Sequence, residues 1–93
     1  MAKKANGHPE ARAAVCNMDY VAGVLGMNNA DMARIMGISP SSLYTRKTKP
    51  WTIRVGELEK LVDYAGKHGL AVTVAQMMVP FAPGTVRPWE ETA

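Results

Sequence analysis

The sequence predicts an all-α protein of five helices, and three observations support this fold class. The chain has 93 residues, of which 47% are hydrophobic and 20% are charged, a composition that supports one compact core. Apolar residues recur at three- and four-residue steps along most of the chain, which is the period of an amphipathic helix. Glycines and proline-containing turns interrupt this period where helices would end and begin. We therefore expect short helices around one core, two of them joined as a helix-turn-helix.

Composition divides the chain into three segments. Residues 1–10 are small, polar and basic, which predicts a flexible N-terminal arm. Residues 11–79 contain the periodic apolar positions and are expected to form the folded domain. Residues 80–93 are rich in proline and show no helical period, so they predict a loosely docked tail that Phe81 and Trp89 can pin to the body.

The first helix is predicted from Pro9 or Glu10 to Leu25. Its apolar residues fall on a single stripe, which contains Ala14, Met18, Val21, Ala22 and Leu25. Gly26 is expected to end this helix, because glycine tolerates the left-handed backbone found at many helix ends. Cys16 lies on or near the stripe and is expected to be a small buried hydrophobe.

The second helix is predicted from its capping residues. Asn28 or Asn29 can cap its start, because a short side-chain oxygen accepts from the free N–H groups of the first turn. Asp31 complements the helix dipole there. The helix is expected to run to about Met36, and Gly37 then permits a left-handed turn.

Helices three and four follow the same rules. Ser39 is an N-cap that precedes a proline at the first helical position, so helix three is predicted over Pro40–Lys47. Thr52 is predicted to cap helix four, which should end near Gly66. The apolar residues of helix four again follow the helical period: Val55, Leu58, Leu61, Val62 and Ala65.

The segment 70–79 allows two structures. Its residues 71–74 favour a β-strand, whereas Thr73 could cap a short helix that runs through Val79. We expect the helix, which would be the fifth.

Charge is distributed unevenly along the chain, whose formal net charge is +3. The stretch 32–56 contains basic residues and no acidic one, and these are Arg34, Arg46, Lys47, Lys49 and Arg54. Acidic residues follow directly, at Glu57, Glu59 and Asp63. This order predicts one positive face and one negative face, and the positive face suits an anionic partner.

Several function classes are disfavoured by the sequence. Cys16 is the only cysteine, which excludes an intramolecular disulfide and a cysteine-rich zinc site. His8 and His68 stand far apart with no ligand at metal-binding spacing, so we expect no metal. We find no catalytic grouping and no phosphate-binding glycine loop, so we expect neither an enzyme nor a cofactor nor a small-molecule substrate. With no signal peptide or membrane span recognisable, a cytoplasmic protein without a membrane partner is expected.

The segment Asn29–Pro50 has the layout of a helix-turn-helix. Ala33 is small enough for the third helix to cross closely, and Gly37 makes the turn. Apolar residues are expected to close the core between the two helices: Met32, Met36, Ile38 and Leu43.

Helix three carries its polar residues mostly on the side away from Leu43. A helix that reads a DNA groove needs hydrogen-bonding side chains on its exposed side. The polar residues of that side are Ser41, Ser42, Tyr44 and Thr45. Basic residues at the C-terminal end of the helix are well placed for phosphates. These are Arg46, Lys47 and Lys49.

This segment resembles the lambda-repressor-like Cro/CI (XRE) family of helix-turn-helix regulators. The family pattern LAxxxGxSxxxL has its counterparts here at Met32-Ala33, Gly37, Ile38-Ser39 and Leu43. The continuation SLYTRKTKPWTIRVGELEKLVDYAG is similar to a subgroup common in phages and Gram-positive prophages. The resemblance covers roughly residues 18–78 and implies a five-helix lambda-repressor-like DNA-binding domain.

The resemblance also implies roles for individual residues. Base reading would fall on Ser41, Tyr44 and Thr45, with Pro40 and Thr48 at the edges of the recognition surface. Contacts to the DNA backbone would come from Asn29, Ser42, Lys47 and Lys49. The chain departs from the family at Asn29, where glutamine is common, and at Arg46 or Lys47, where a large apolar residue is common. Pro40 leaves one readout position without a hydrogen-bonding side chain.

The expected function is therefore a sequence-specific transcriptional regulator, such as a phage or prophage repressor, bound to double-stranded DNA. We expect a homodimer, because one recognition helix buries too little surface for strong discrimination. Helix five, Trp51 or the tail could supply the dimer surface.

Two alternative functions remain open. One is a helix-turn-helix module that binds a protein, such as an assembly adaptor or an antitoxin-like component, and the other is an accessory protein of DNA packaging or recombination.

Overall fold

The computed structural model of the chain describes residues 9–80. Over these residues the chain forms five α-helices, one short 3₁₀ helix and no strand, which confirms the all-helical prediction. The elements are α1 (Pro9–Leu25), α2 (Asn29–Met36), α3 (Pro40–Thr48), the 3₁₀ helix (Pro50–Thr52), α4 (Val55–Lys67) and α5 (Val74–Met77). Residues 1–8 of the predicted arm and residues 81–93 of the predicted tail, with Phe81 and Trp89, lie outside the described residues.

Helix α1 begins at Pro9, so residues 9 and 10 belong to the helix and not to the predicted arm. The predicted stripe is buried or partly buried: Ala14, Met18, Val21, Ala22 and Leu25. Gly26 follows the helix with a φ of 70°, as the sequence predicts. Cys16 is exposed, so its predicted burial is wrong. The reason is angular, because Cys16 precedes Met18 by two residues and so lies about 200° around the helix from it.

Helix α2 and the turn after it are held by local hydrogen bonds. Asn28 is the N-cap, its Oδ1 accepting from the Asp31 N–H at 2.8 Å, while the Asp31 carboxylate accepts from the Asn28 N–H at 3.2 Å. This reciprocal pair is a capping box. Gly37 ends the helix with a φ of 78°, and the Ile38 N–H then donates to the Ala33 carbonyl at 2.9 Å. The predicted glycine turn is therefore present.

Helix α3 starts at its predicted cap and runs one residue beyond the predicted end. Ser39 Oγ accepts from the Ser42 N–H at 3.1 Å, and Pro40 occupies the first helical position. Leu43, only 1% exposed, is the one buried residue of this helix. Helix α3 therefore contacts the core through a single fully buried side chain, and its exposed residues are Pro40, Ser41, Tyr44 and Thr48.

Helix α4 begins at Val55, so the prediction that Thr52 caps it is wrong. Pro50 starts a tight 3₁₀ helix, and the Thr52 hydroxyl donates back to the Lys49 carbonyl at 2.7 Å. The cap of α4 comes instead from Glu57, whose carboxylate accepts from the Arg54 N–H at 3.2 Å. The bend at Pro50 is what shifts the helix start.

The segment 70–79 contains a helix, as expected, although it is shorter than predicted. Thr73 Oγ1 accepts from the Gln76 N–H at 3.0 Å, and Gln76 Oε1 accepts from the Thr73 N–H at 2.9 Å. Helix α5 ends at Met77, two residues before the predicted end at Val79. Asn17 of α1, which is 1% exposed, donates to the Met77 carbonyl at 2.7 Å and to the Val79 carbonyl at 3.0 Å. A buried amide from another helix thus satisfies the end of α5.

The helices pack around one core. Helix α4 contacts α2 and α5, α1 contacts α5 and the 3₁₀ helix, and α3 contacts α2 and the 3₁₀ helix. Unbranched methionine side chains fill much of the interior, and the fully buried ones are Met18, Met32, Met36 and Met77. None of the helices between residues 9 and 80 has the length and apolarity that crossing a membrane requires.

Candidate nucleic-acid interface

The exposed side of α3 contains the residues that the sequence predicts to read bases. Tyr44 is 70% exposed, Ser41 and Thr48 are exposed, and Thr45 is half-buried. These side chains lie away from Leu43, which enters the core. The burial pattern therefore leaves one polar, hydroxyl-rich surface on α3 that is open to solvent.

The threonine hydroxyls of this surface have a defined orientation. Thr45 Oγ1 donates to the Ser41 carbonyl at 3.2 Å, and Thr48 Oγ1 donates to the Tyr44 carbonyl at 3.0 Å. Because these bonds direct the hydroxyl protons into the helix, the oxygen lone pairs remain as acceptors at the surface. Acceptors of this kind match the amino groups of adenine and cytosine in the major groove.

The N-terminal end of α3 is occupied by its own cap. Ser39 Oγ donates to Ser42 Oγ at 3.0 Å and accepts from the Ser42 N–H, so both polar groups of Ser42 have partners within the cap. Ser41 Oγ lies 3.3 Å from the same Ser39 oxygen. Pro40 is exposed and has no N–H, so its ring can give a base or a phosphate only an apolar contact.

Two predicted backbone-contact residues, Lys47 and Asn29, contact each other directly, and Lys47 also pairs with Asp19, a residue that the sequence did not indicate. Lys47 Nζ lies 2.8 Å from Asn29 Oδ1 at the start of α2. It also lies 2.8 Å from Asp19 Oδ1 of α1, in an ion pair whose side chains are 22% exposed at Lys47 and 54% exposed at Asp19. One ammonium group thus joins α1, α2 and α3.

Arg46 is placed differently from its predicted role at the DNA backbone. Its Nε donates to Glu57 Oε1 at 2.9 Å and its Nη2 donates to Glu57 Oε2 at 2.8 Å, and both side chains are largely buried. The hydrogen bonds from Arg46 hold the pKa of the Glu57 carboxyl below its ordinary value and raise the pKa of Arg46 itself. Arg46 therefore fastens α3 to α4, and two of its three guanidinium nitrogens are paired with Glu57.

These pairs also correct the predicted separation of charge. Three of the basic residues expected on an acid-free face each contact a carboxylate, in the pairs Arg34–Asp31, Arg46–Glu57 and Lys47–Asp19. Lys49 and Arg54 are exposed, and neither forms a salt bridge with another described residue. The positive surface is therefore smaller than the basic run in the sequence predicts, and Lys49 is its clearest member next to α3.

A groove of about 480 Å³ lies beside the C-terminal end of α3, between α1 and the 3₁₀ helix. It is lined by Arg12, Val15, Cys16, Lys47, Thr48, Pro50 and Trp51. Trp51 is 51% exposed, so its indole is neither packed fully into the body nor fully in solvent. The groove adjoins the polar surface of α3, because Thr48 belongs to both.

No cluster of metal-binding side chains occurs in the part of the chain that the structure describes. Between residues 9 and 80 no three histidine, cysteine, aspartate or glutamate side chains lie close enough together to hold a metal ion. His68 stacks on Tyr64, with ring centroids 4.2 Å apart, and His8 lies outside the described residues.

The contacts that orient α3 could not be predicted from the sequence. Glu57 stands three residues after the α4 cap, a spacing that predicts its capping role, but nothing local predicts its pairing with Arg46. Asp19 is an ordinary polar residue on the exposed side of α1, and its contact with Lys47 depends on how α1 packs against α3.

No protein family, curated protein or solved structure matches this chain.

Proposed function

We propose that this chain is a DNA-binding protein of the helix-turn-helix type that acts as a sequence-specific transcriptional regulator, such as a phage or prophage repressor. Helix α2, the turn at Gly37 and α3 would form the helix-turn-helix, with α3 in the major groove. The observation that carries the proposal is the surface of α3. The helix is anchored by one buried residue, Leu43, and exposes a row of hydroxyl side chains with Lys49 at its end.

The dimensions of α3 suit this role. An α-helix with its side chains is about 10–12 Å across, and the major groove of B-DNA is about 12 Å wide. The acceptor oxygens of Thr45 and Thr48 would meet base amino groups, while Tyr44, 70% exposed, can reach a thymine methyl group or a phosphate.

Base reading also requires a recognition helix of fixed orientation. Arg46 ties α3 to α4 through two hydrogen bonds, and Lys47 ties it to α1 and α2. These bonds restrict the tilt of α3, while Ser41, Tyr44 and Thr48 stay exposed. A fixed helix avoids an ordering cost on binding.

The proposal is tested by comparing two kinds of substitution on duplex DNA, after selection of a preferred site from random fragments. Ser41→Ala and Thr45→Ala should each cost about 1–3 kcal/mol against the preferred site and little against random DNA, because base contacts carry sequence information. Lys49→Ala should weaken binding to all sequences alike and reduce the slope of log affinity against log salt by about one unit. Affinities would be measured by fluorescence anisotropy at several salt concentrations.

Lys67→Ala is the matched control for Lys49→Ala, since Lys67 is exposed on α4 and pairs with Asp63 of the same helix. It removes the same charge away from α3 and should change the salt slope much less. Duplex binding that is absent, or that does not respond to salt, would reject the DNA-binding proposal.

A second candidate function, a module that binds a protein partner, is favoured by one observation. Trp51, Val55 and Tyr44 expose 51%, 54% and 70% of their surface, and exposed apolar side chains that lie together are typical of a protein-binding site. Under this alternative Trp51→Ala and Val55→Ser would abolish partner binding, whereas Lys49→Ala would leave it intact. Retention on heparin that falls steeply with salt separates the two candidates, because it reports phosphate-like contacts.

A further inference from the structure

We propose that the Asp19 carboxylate occupies, in the free protein, the position beside Lys47 that a DNA phosphate takes on binding, and that Asp19 thereby lowers the affinity of this surface for DNA. The inference rests on the proposed function and names a residue that regulates the same site. Asp19 belongs to α1, outside the helix-turn-helix, and would act on DNA through Lys47.

Lys47 already has an anionic partner in the free protein. Its ammonium group has three N–H donors. Asp19 Oδ1 and Asn29 Oδ1 each lie 2.8 Å from Lys47 Nζ, so two of the donors have partners in the free protein. The partner from α1 is an anionic oxygen, which is also the chemistry of a phosphate. The carboxylate therefore marks a place where an anion is already stabilised.

Burial indicates which side of this ion pair can move. The Lys47 side chain is 22% exposed and is held between helices, whereas the Asp19 side chain is 54% exposed. An exposed carboxylate can rotate into water at little cost, because ion pairs at a surface are weak. Lys47 would stay in place and exchange one anionic partner for another.

The second ion pair of α3, between Arg46 and Glu57, is more deeply buried than the pair between Lys47 and Asp19. Arg46 and Glu57 are 15% and 10% exposed, and Glu57 also accepts from the Arg54 N–H. Releasing Glu57 would break two hydrogen bonds to the guanidinium and the cap of α4 together. Of the two carboxylates that neutralise α3, only Asp19 is placed to leave.

This arrangement has a consequence for binding. A phosphate that approaches Lys47 must displace or tolerate a negative charge at 2.8 Å from the ammonium group. Lys47 therefore contributes less than a full charge to the neutralisation of DNA, and fewer counterions are released on binding than the basic residues would predict.

The test compares Asp19→Asn with Asp63→Asn on random duplex DNA. Both variants remove one negative charge, and the Asp63 side chain is 69% exposed in a pair with Lys67 on α4. Asp19→Asn should raise the affinity about two- to fivefold, the range expected for an exposed ion pair, and steepen the salt slope by up to about one unit. Asp63→Asn should raise the affinity by a smaller factor. Asp19→Ser serves as a second variant, because the asparagine of Asp19→Asn can still accept a hydrogen bond from Lys47 and the shorter serine cannot.

The decisive measurement repeats Asp19→Asn in a Lys47→Ala background. If Asp19 acts by competing at Lys47, Asp19→Asn in the Lys47→Ala background should raise the affinity for DNA by no more than Asp63→Asn does. An undiminished gain in the Lys47→Ala background, or equal gains from both aspartates in the wild-type background, would overturn the inference and leave the proposed function standing. Failure of the wild-type chain to bind duplex DNA would overturn both. Thermal unfolding of each variant confirms that the fold is retained.

Discussion

The Glu57 carboxylate joins α3 to the start of α4. It receives two hydrogen bonds from the Arg46 guanidinium of α3 and one from the Arg54 N–H at the start of α4. Such charge-assisted bonds are stronger than neutral ones, and a largely buried pair that loses one partner leaves a charge without compensation. The orientation of α3 is therefore linked to the ionisation of one side chain.

The ionisation of Glu57 predicts a pH dependence of stability. Its pKa is lowered in the folded protein by hydrogen bonds from Arg46. A carboxyl whose folded pKa is depressed contributes stability that is present above its unfolded pKa, about 4.3, and is lost as pH falls through the folded pKa. Urea unfolding should therefore show Glu57→Gln less stable than wild type by about 1–3 kcal/mol at pH 7. The difference should shrink below about pH 4.

Glu59→Gln is the matched control for this measurement, because Glu59 is exposed on the same helix. It should leave stability at pH 7 nearly unchanged. A difference between wild type and Glu57→Gln that stays constant from pH 7 to pH 3 would show that the ion pair does not contribute as described.

The buried Asn17 side chain stabilises the end of α5. Its buried amide donates to carbonyls at the end of α5, so Asn17→Leu should remove these bonds while keeping much of the volume. We expect a loss of about 1–3 kcal/mol in the free energy of unfolding, because buried carbonyls are left without donors. Asn28→Ala, which removes an exposed cap, should cost only about 1 kcal/mol. Equal stability of Asn17→Leu and wild type in urea would contradict this role.

Among the elements, the turn between α2 and α3 determines how the two helices meet. Gly37 adopts a φ of 78°, a left-handed conformation that glycine accepts without strain. A Cβ at this position would lie 2.8 Å from Lys60 Nζ, but that group is the end of a flexible side chain and can move. The cost of replacing Gly37 is therefore mainly the cost of its backbone conformation.

A pair of glycine substitutions tests this account. Gly37→Ala should lower the free energy of unfolding by about 1–2 kcal/mol, because a side chain disfavours the left-handed region. Gly23→Ala should raise it by about 0.5–1 kcal/mol, since Gly23 lies within α1 with no atom close enough to hinder a Cβ. Thermal or urea unfolding measures both. Stabilisation by both substitutions would mean that the turn is not restricted as described.

On the scale of the whole molecule, the proposed function predicts how many copies bind one DNA site. One α3 offers a short row of side chains, so strong discrimination requires a second copy related by a two-fold axis. We expect two chains on a site whose half-sites lie about 34–36 Å apart along the helix axis. Sedimentation of the complex and footprinting measure the stoichiometry and the spacing. One chain on a single contiguous half-site would contradict the dimer.

The sequence by itself determined the features that depend on near neighbours in the chain. Helix α1 follows from its apolar period, and α2, α3 and α5 follow from caps at Asn28, Ser39 and Thr73 whose partners lie three residues away. The exposed polar side of α3 follows from the same period once Leu43 enters the core. These features are local, so residue type and spacing are enough to predict them.

The tertiary structure alone decided which charges remain available. Arg46 and Lys47 are adjacent in a basic run, yet one pairs with Glu57 of α4 and the other with Asp19 of α1. Helix α4 starts after the 3₁₀ helix Pro50–Thr52, and Glu57 in its first turn meets Arg46 of α3. Contacts between helices depend on their packing angles and offsets, and these are set by the whole core. A helical period specifies which side of a helix is buried, but not which side chain of another helix it meets.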